Sequence, residues 1–292
     1  MIETFEKEFA IGNVKKLLVR NPYGKVELNL WNKEKIKISA TKEVNGKNRE
    51  RITKTLEDIE IFSSTETDIL EIKTLIPPSV HILNGLTITV NYLIYAPTKI
   101  EVEIDTTEGV VSSSNEVEEA VVNLITSGKR SIIHDYSGEL STISKAGDII
   151  AYRTQGTLNL RSLSGNIIVK EAKGELKIYS NSGNINVDSC EGSIEVSSRS
   201  GNVTITNVRV DRLTATSTSG NIELVGKRNV KEACQLGSKS GNIKLKGHGI
   251  PTSQLKVKTI CGRIQCRGGS VFSLSKDVPV SVETLSGNIT ID

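Results

Sequence analysis

The sequence predicts an all-β protein, a single-stranded right-handed parallel β-helix preceded by a β-rich N-terminal cap with one short helix. Three observations lead there. A Ser-Gly-Asn-Ile word recurs at near-constant spacing through the second half of the chain. Short runs on either side of each word alternate apolar and polar residues, which is the period of a strand with one buried face. No helical periodicity fits between the copies, and a short unit without helices is the mark of a β-solenoid.

The repeat is explicit. Ser-Gly-Asn begins at Ser164, Ser182, Ser200, Ser219, Ser240 and Ser286. The corner pairs are therefore Gly165 and Asn166, Gly183 and Asn184, Gly201 and Asn202, Gly220 and Asn221, Gly241 and Asn242, and Gly287 and Asn288. Degenerate copies stand at Ala146-Gly147-Asp148-Ile149 and Cys261-Gly262-Arg263-Ile264. From Gly147 to Gly287 the glycines are 18, 18, 18, 19, 21, 21 and 25 residues apart. Gly109 and Gly128 continue the period upstream with poorer matches.

The stretch "GELKIYSNSGNINVDSCE" shows one unit. Leu176 and Ile178 alternate with Glu175, Lys177 and Tyr179, and Ile185 and Val187 follow the corner. Aligned units give inward columns such as Leu140, Leu158, Leu176, Ile194, Leu213, Cys234, Leu255 and Val280. Such a unit cannot bury its own apolar face, whereas stacked units can. Parallel strands about 4.8 Å apart would make nine or ten coils a rod roughly 45 Å long. Parallel crossovers favour the right hand.

Glycine takes positive φ without penalty and asparagine tolerates it, so each Gly-Asn pair reads as a corner. Stacked asparagines can also hydrogen-bond from coil to coil. Two residues before each word stands a hydroxyl: Ser144, Ser162, Ser180, Ser198, Ser217, Ser238, Thr259 or Thr284. Alternation points these inward, as a structural stack. The repeated word thus predicts a row of corners rather than a row of binding sites.

Residues 1–105 lack the repeat and read as the cap, with residues 106–292 forming the β-helix. The stretch "KKLLVRNPYGKVELNLWNKEKIKISATKEV" reads as three strands around a turn at Asn21-Pro22-Tyr23-Gly24. Ile52, Leu56 and Ile59 make one stripe of a short helix. The segments "DILEIKTLI" and "LTITVNYLIYAP" read as strands, with "PPSVHILNG" as a loop between them.

The stretch "NPYGKVELNLWNKEKIKISATKEV", the short helix, "VNYLIYAPTKIEVEIDTTEGVV" and the serial "SGNI" words together resemble the bacterial adhesin-like domain of unknown function 4097. The resemblance covers nearly the whole chain and implies a single-stranded right-handed β-helix. It carries over no catalytic or binding residue.

Composition narrows the function classes. A net charge of +3 without a dense basic run argues against nucleic acid. Asparagine at six corners and aspartate only at Asp148 makes poor calcium sites. Cys190, Cys234, Cys261 and Cys266 form no CxxC pair, so no metal or other cofactor is expected. The opening "MIETFEKEFAIGN" has no apolar signal region, and no run reaches the ~18 apolar residues of a membrane helix. This predicts a cytoplasmic protein without a transmembrane segment, with the cell surface as the alternative.

Enzyme chemistry is not indicated. His81, His134 and His248 form no triad pattern. Glu175 and Glu195 fall in nearby outward columns and are the best pair for polysaccharide chemistry, the weakest of three readings. The leading reading is a non-enzymatic scaffold or binding module, working through its regular faces or its C-terminal end. The alternative is a cell-surface adhesin for a glycan or protein, with Tyr152 and Tyr179 as contacts. No C-terminal cap is visible, so residues 280–292 are expected to leave an open edge that pairs with another copy.

Overall fold

The computed structural model describes residues 1–78, 85–113, 120–225, 229–246, 255–259, 264–266 and 280–291. It is the expected all-β solenoid. Contacts divide it into two compact units, Met1–Ser141 and Thr142–Asp292.

The first unit is organised around strand Lys16–Trp31. One edge pairs in parallel with Glu101–Ser113, the other with Ile69–Leu75 and Thr87–Pro97. Lys35–Asn45 lies antiparallel between Thr87–Pro97 and the opening strand Ile2–Ala10. Glu101–Ser113 passes the parallel stacking on to Ala120–Thr126 and to residues 131–134. Stacking therefore already includes Lys16–Trp31, and the sequence division at 105/106 does not coincide with the division by contacts. The helix Arg49–Asp58 starts where the side-chain oxygen of Asn48 accepts the Arg51 N–H at 3.1 Å. It buries Leu56 beside Lys35–Asn45, and Lys42 donates to the Leu56 carbonyl at 3.4 Å.

Asn21-Pro22-Tyr23-Gly24 is not a reversal. Both halves of Lys16–Trp31 pair with the same neighbour, and the register shifts between Asn21 and Lys25. The reason is a buried polar cluster. Asn21 is fully buried and donates to the Val90 carbonyl at 2.7 Å. Thr74 donates to its oxygen at 3.0 Å and lies 2.8 Å from the Tyr92 hydroxyl. The Gly24 carbonyl accepts from Thr106 and Thr107 at 2.7 and 2.6 Å. These bonds hold the four residues as a bulge inside one strand. Of the expected loop "PPSVHILNG", residues 79–84 lie outside the described residues.

In the second unit each regular coil has two straight runs and two corners. Ile149–Ser162 stacks on Ile167–Ser180 residue for residue, Ile149 beside Ile167 and Leu158 beside Leu176. Ile149, Ile167, Ile185, Val203, Ile222, Ile243 and Ile289 form one buried column. Leu158, Leu176, Ile194, Leu213 and Cys234 form another. Each aliphatic member contributes about 1.5–3 kcal/mol of burial. The core is therefore thin but continuous, and it needs few aromatics. Cys190 and Cys234 are buried, while the side chains of Cys261 and Cys266 lie outside the described residues.

The second corner is absent from the sequence reading. Arg153, Glu171, Ser189 and Asn207 sit in the left-handed region at φ 50°, 56°, 56° and 52°. Three residues after the first three of them come Gly156, Gly174 and Gly192, at φ 114°, 125° and 114°. Between, Thr154, Ala172, Cys190 and Val208 turn inward and are buried. The bend thus adds a further inward column to each coil.

The last coils do not stack in chain order. Val280–Thr284 pairs with Asn229–Ser238 on one edge and with Leu255–Thr259 on the other. Ile289–Ile291 lies likewise between Ile243–Lys246 and Ile264–Cys266. This corrects the expectation that residues 280–292 form the open end. Both edges of residues 280–291 are used, and among the described residues the outermost strands are Leu255–Thr259 and Ile264–Cys266.

Candidate binding face

The corners are occupied by their own hydrogen bonds. The side-chain oxygen of Asn166 accepts the Asn184 N–H at 3.0 Å, and Asn184 accepts the Asn202 N–H at 2.9 Å. Asn202, Asn221 and Asn242 repeat this towards Asn221, Asn242 and Asn288 at 2.9, 2.8 and 2.8 Å. Asp148 begins the ladder, accepting from the Asn166 N–H at 2.8 Å and its amide at 3.1 Å.

The glycines are there for a different reason from the one the sequence suggested. Gly165, Gly183, Gly201, Gly220, Gly241 and Gly287 are not in the left-handed region. A Cβ on Gly183 would instead lie 2.0 Å from the Gly165 carbonyl oxygen, and one on Gly201 would lie 1.9 Å from that of Gly183. The corner is a close approach of backbone to backbone, repeated from Gly165 to Gly287 at each described corner.

The hydroxyl column is buried throughout the described corners. Ser198, Ser217 and Ser238 accept the N–H groups of Gly201, Gly220 and Gly241 at 2.9, 2.8 and 2.8 Å. Ser238 and Thr284 also donate to the Gly220 and Gly241 carbonyls of the coil before, at 3.3 and 3.2 Å. Ser162 and Ser180, in the same column, have buried hydroxyls without a hydrogen-bond partner, as do Thr142 and Thr154.

Recognition chemistry thus falls to the outward columns. One of them runs Arg161, Tyr179, Ser197, Thr216, Gly237 and Glu283 across successive coils. The side chains shrink from tyrosine to glycine and open an elongated cavity of ≈ 340 Å³ over Ser197, Thr216 and Gly237. Lys239, Glu283 and Leu285 close its far end. One coil before the lining residues, and outside the cavity, the Arg161 guanidinium lies 5.1 Å from the centre of the Tyr179 ring, a cation–π contact that orients the ring. Thr216 donates to Ser197 at 3.2 Å.

Tyr152 is not part of this column. It pairs with Lys170, beside the bend rather than the corner, with Arg153 4.8 Å from its ring. The two tyrosines therefore form no shared strip, because one precedes each kind of corner.

A second cavity of ≈ 470 Å³ holds Glu175, Lys177, Glu195, Asp211 and Arg212. Glu175 is bound to Lys177 at 2.7 Å, and Glu195 stands opposite Lys177 on the next coil. The hydrogen bond that Lys177 donates to Glu175, with the charges of Glu175 and Glu195, raises the Lys177 pKa above its ordinary value. The Lys177 ammonium is thus ion-paired with Glu175, while Glu195 is its register neighbour on the next coil. His134 lies 3.2 Å from Asp135, in the first unit. His81 and His248 lie outside the described residues.

The Toastrack DUF4097 family model matches residues 14–292 of this solenoid. The chain belongs to that family. No curated protein matches it. Solved structures similar to this Toastrack chain include a candidate cell adhesion protein from Clostridium sporogenes, at 14% identity, 100% and 99% coverage of the two chains and a TM-score of 0.25. A candidate adhesin from Bacteroides fragilis has 13% identity, 99% and 97% coverage and a TM-score of 0.35. A candidate lipid binding protein from Parabacteroides distasonis has 11% identity, 99% and 97% coverage and a TM-score of 0.38. Likeness of this degree says nothing about a ligand of the Toastrack chain. Among its described residues no helix is long and apolar enough to cross a membrane.

Proposed function

We propose that this Toastrack chain is a non-enzymatic binding module that holds an extended polar ligand, a glycan or a protein segment, along one outward face. The observation that carries this is the groove over Ser197, Thr216 and Gly237. Its floor is small and rigid, because every residue in it belongs to a strand held in register on both sides. On the adjoining coil, beside Ser197, the Tyr179 ring offers a platform for the apolar face of a sugar or a side chain. Hydroxyls along the floor and Glu283 with Lys239 at the far end supply convergent polar groups.

The test is a glycan and peptide array with the parent and two variants. Gly237→Arg fills the groove where an added Cβ meets nothing nearer than 4.0 Å, so the fold is kept. Tyr179→Ala removes the platform. Binding that falls at least tenfold in both variants at unchanged melting temperature supports the groove. A bound ligand indifferent to both variants, or no ligand on either array, overturns it. The adhesin reading uses the same groove, with the ligand on another cell. Protease accessibility of the chain on intact cells separates the two.

A further inference from the structure

We infer that residues 280–291 are an exchangeable coil, and that the slot they fill accepts the same segment from a second copy of this chain. The order of the stack is the first ground. The segment lies between residues 229–246 on one edge and the strands Leu255–Thr259 and Ile264–Cys266 on the other, all of which precede it in the chain. The slot is therefore the edge of residues 229–246, and among the described residues Leu255–Thr259 and Ile264–Cys266 pair only with the segment that fills it.

Register is the second ground. Leu255, Val257, Thr259, Gly262, Ile264 and Cys266 have the same spacing as Val280, Val282, Thr284, Gly287, Ile289 and Ile291. Val280 pairs with both Cys234 and Leu255, and Val282 with both Leu236 and Val257. Either segment can thus stack on residues 229–246 without a register change. The corner chemistry decides which one does. Asn288 donates its N–H to the Asn242 side chain at 2.8 Å, and its carbonyl accepts from Ile243 at 2.9 Å. A coil inside the stack must offer the next coil a side-chain acceptor, as Asn288 can. The other segment has Arg263 at the matching position of the sequence, a residue whose side chain offers no acceptor.

Connection is the third ground. Residues 267–279 join the two segments, and a chain of that length spans at most roughly 45 Å. None of the bonds holding residues 280–291 depends on which copy supplies them. Leu285 donates to the Ser238 carbonyl at 3.2 Å and Ser286 to that of Lys239 at 3.0 Å, and a second copy would make the same contacts. Exchange of an identical element is a low-cost route to a dimer. It also gives each groove a shared origin, since Glu283 and Leu285 would come from the partner. The slot itself does not depend on the groove binding anything.

The test uses full-length chains with the native cysteines replaced by alanine. Gln235 and Ser281 are outward neighbours on adjacent strands, within disulfide reach when both become cysteine. Gln235→Cys with Ser281→Cys in one chain should give an intrachain crosslink. Gln235→Cys with Lys256→Cys should not, and efficient crosslinking there would overturn the inference by restoring chain order. A Gln235→Cys copy and a Ser281→Cys copy are then unfolded, mixed and refolded together at high concentration. Disulfide-linked dimers of the two support exchange, and they should be lost when Gly287→Val is added to the Ser281→Cys copy. Intrachain crosslinking in the double variant without any dimer in the mixture overturns it.

Discussion

The Ser-Gly-Asn corner and the bend at Glu171–Gly174 both repeat a glycine every 18 residues through the regular coils, yet the two glycines answer different constraints. At the corner the backbone is ordinary and the obstacle is the carbonyl of the coil below. At the bend Gly174 has φ 125°, and a Cβ there would also lie 2.1 Å from the Gly156 carbonyl oxygen. The corner exports its polar groups into ladders. The bend turns a residue inward and adds to the core. A repeated glycine is therefore evidence of a constraint, and only geometry says which.

The sharpest way to break this comparison is Gly183→Val. The added atoms meet fixed backbone, so it should cost more than about 4 kcal/mol, or prevent folding, in urea denaturation. A loss below about 1 kcal/mol would mean that the coils can separate at the corner.

Next in size is an alkaline effect that begins at the bend. Burial raises the Cys190 thiol from its ordinary 9.0 to about 11. Its contribution is full below pH 9 and is lost as pH rises from 9 to 11, about 2–3 kcal/mol in all. Tyr92 in the first unit, pushed up to about 12 by burial, adds a later loss that begins near pH 10. Stability measured against pH should be flat through neutrality and fall above 9, and Cys190→Ala should delay the fall by about one pH unit.

The hydroxyl column offers a finer contrast. Ser217→Ala leaves the buried Gly220 N–H without its acceptor and should cost about 1–2 kcal/mol. Ser180→Ala removes a hydroxyl that has no partner and should be neutral or stabilising. Equal costs at the two sites would remove the distinction. Glu171→Gly should then gain about 1 kcal/mol by relieving a left-handed residue. Smallest of all, Gly237→Ala should move stability by less than about 0.5 kcal/mol, since nothing crowds it.

Much of the second unit is legible in the sequence, because period-two alternation and an 18-residue repeat specify the same columns independently. Its bend is not, since Arg153, Glu171, Ser189 and Asn207 share a conformation but no chemistry. The only signal was Gly156, Gly174 and Gly192 recurring in step. The order of the last coils is hidden for the opposite reason, as residues 255–266 and 280–291 have the same spacing and differ chiefly at Arg263 and Asn288. The groove is not legible because a lone Gly237 on a strand reads as an irregularity. In the first unit Asn21 reads as a turn former in the sequence, and only its distant partners Val90 and Thr74, the latter held by Tyr92, reveal a buried anchor.

The Asn ladder has one further consequence. Asn166, Asn184 and Asn202 are joined by the same bond across the same 18-residue step, so the junction between any two of these coils can stand in for another. A tandem duplication of residues 166–183 would create no junction that is not already present, and a matching deletion would leave none unmatched. Copy number thus becomes a heritable variable that recombination can change in a single event, leaving the grammar of the fold untouched.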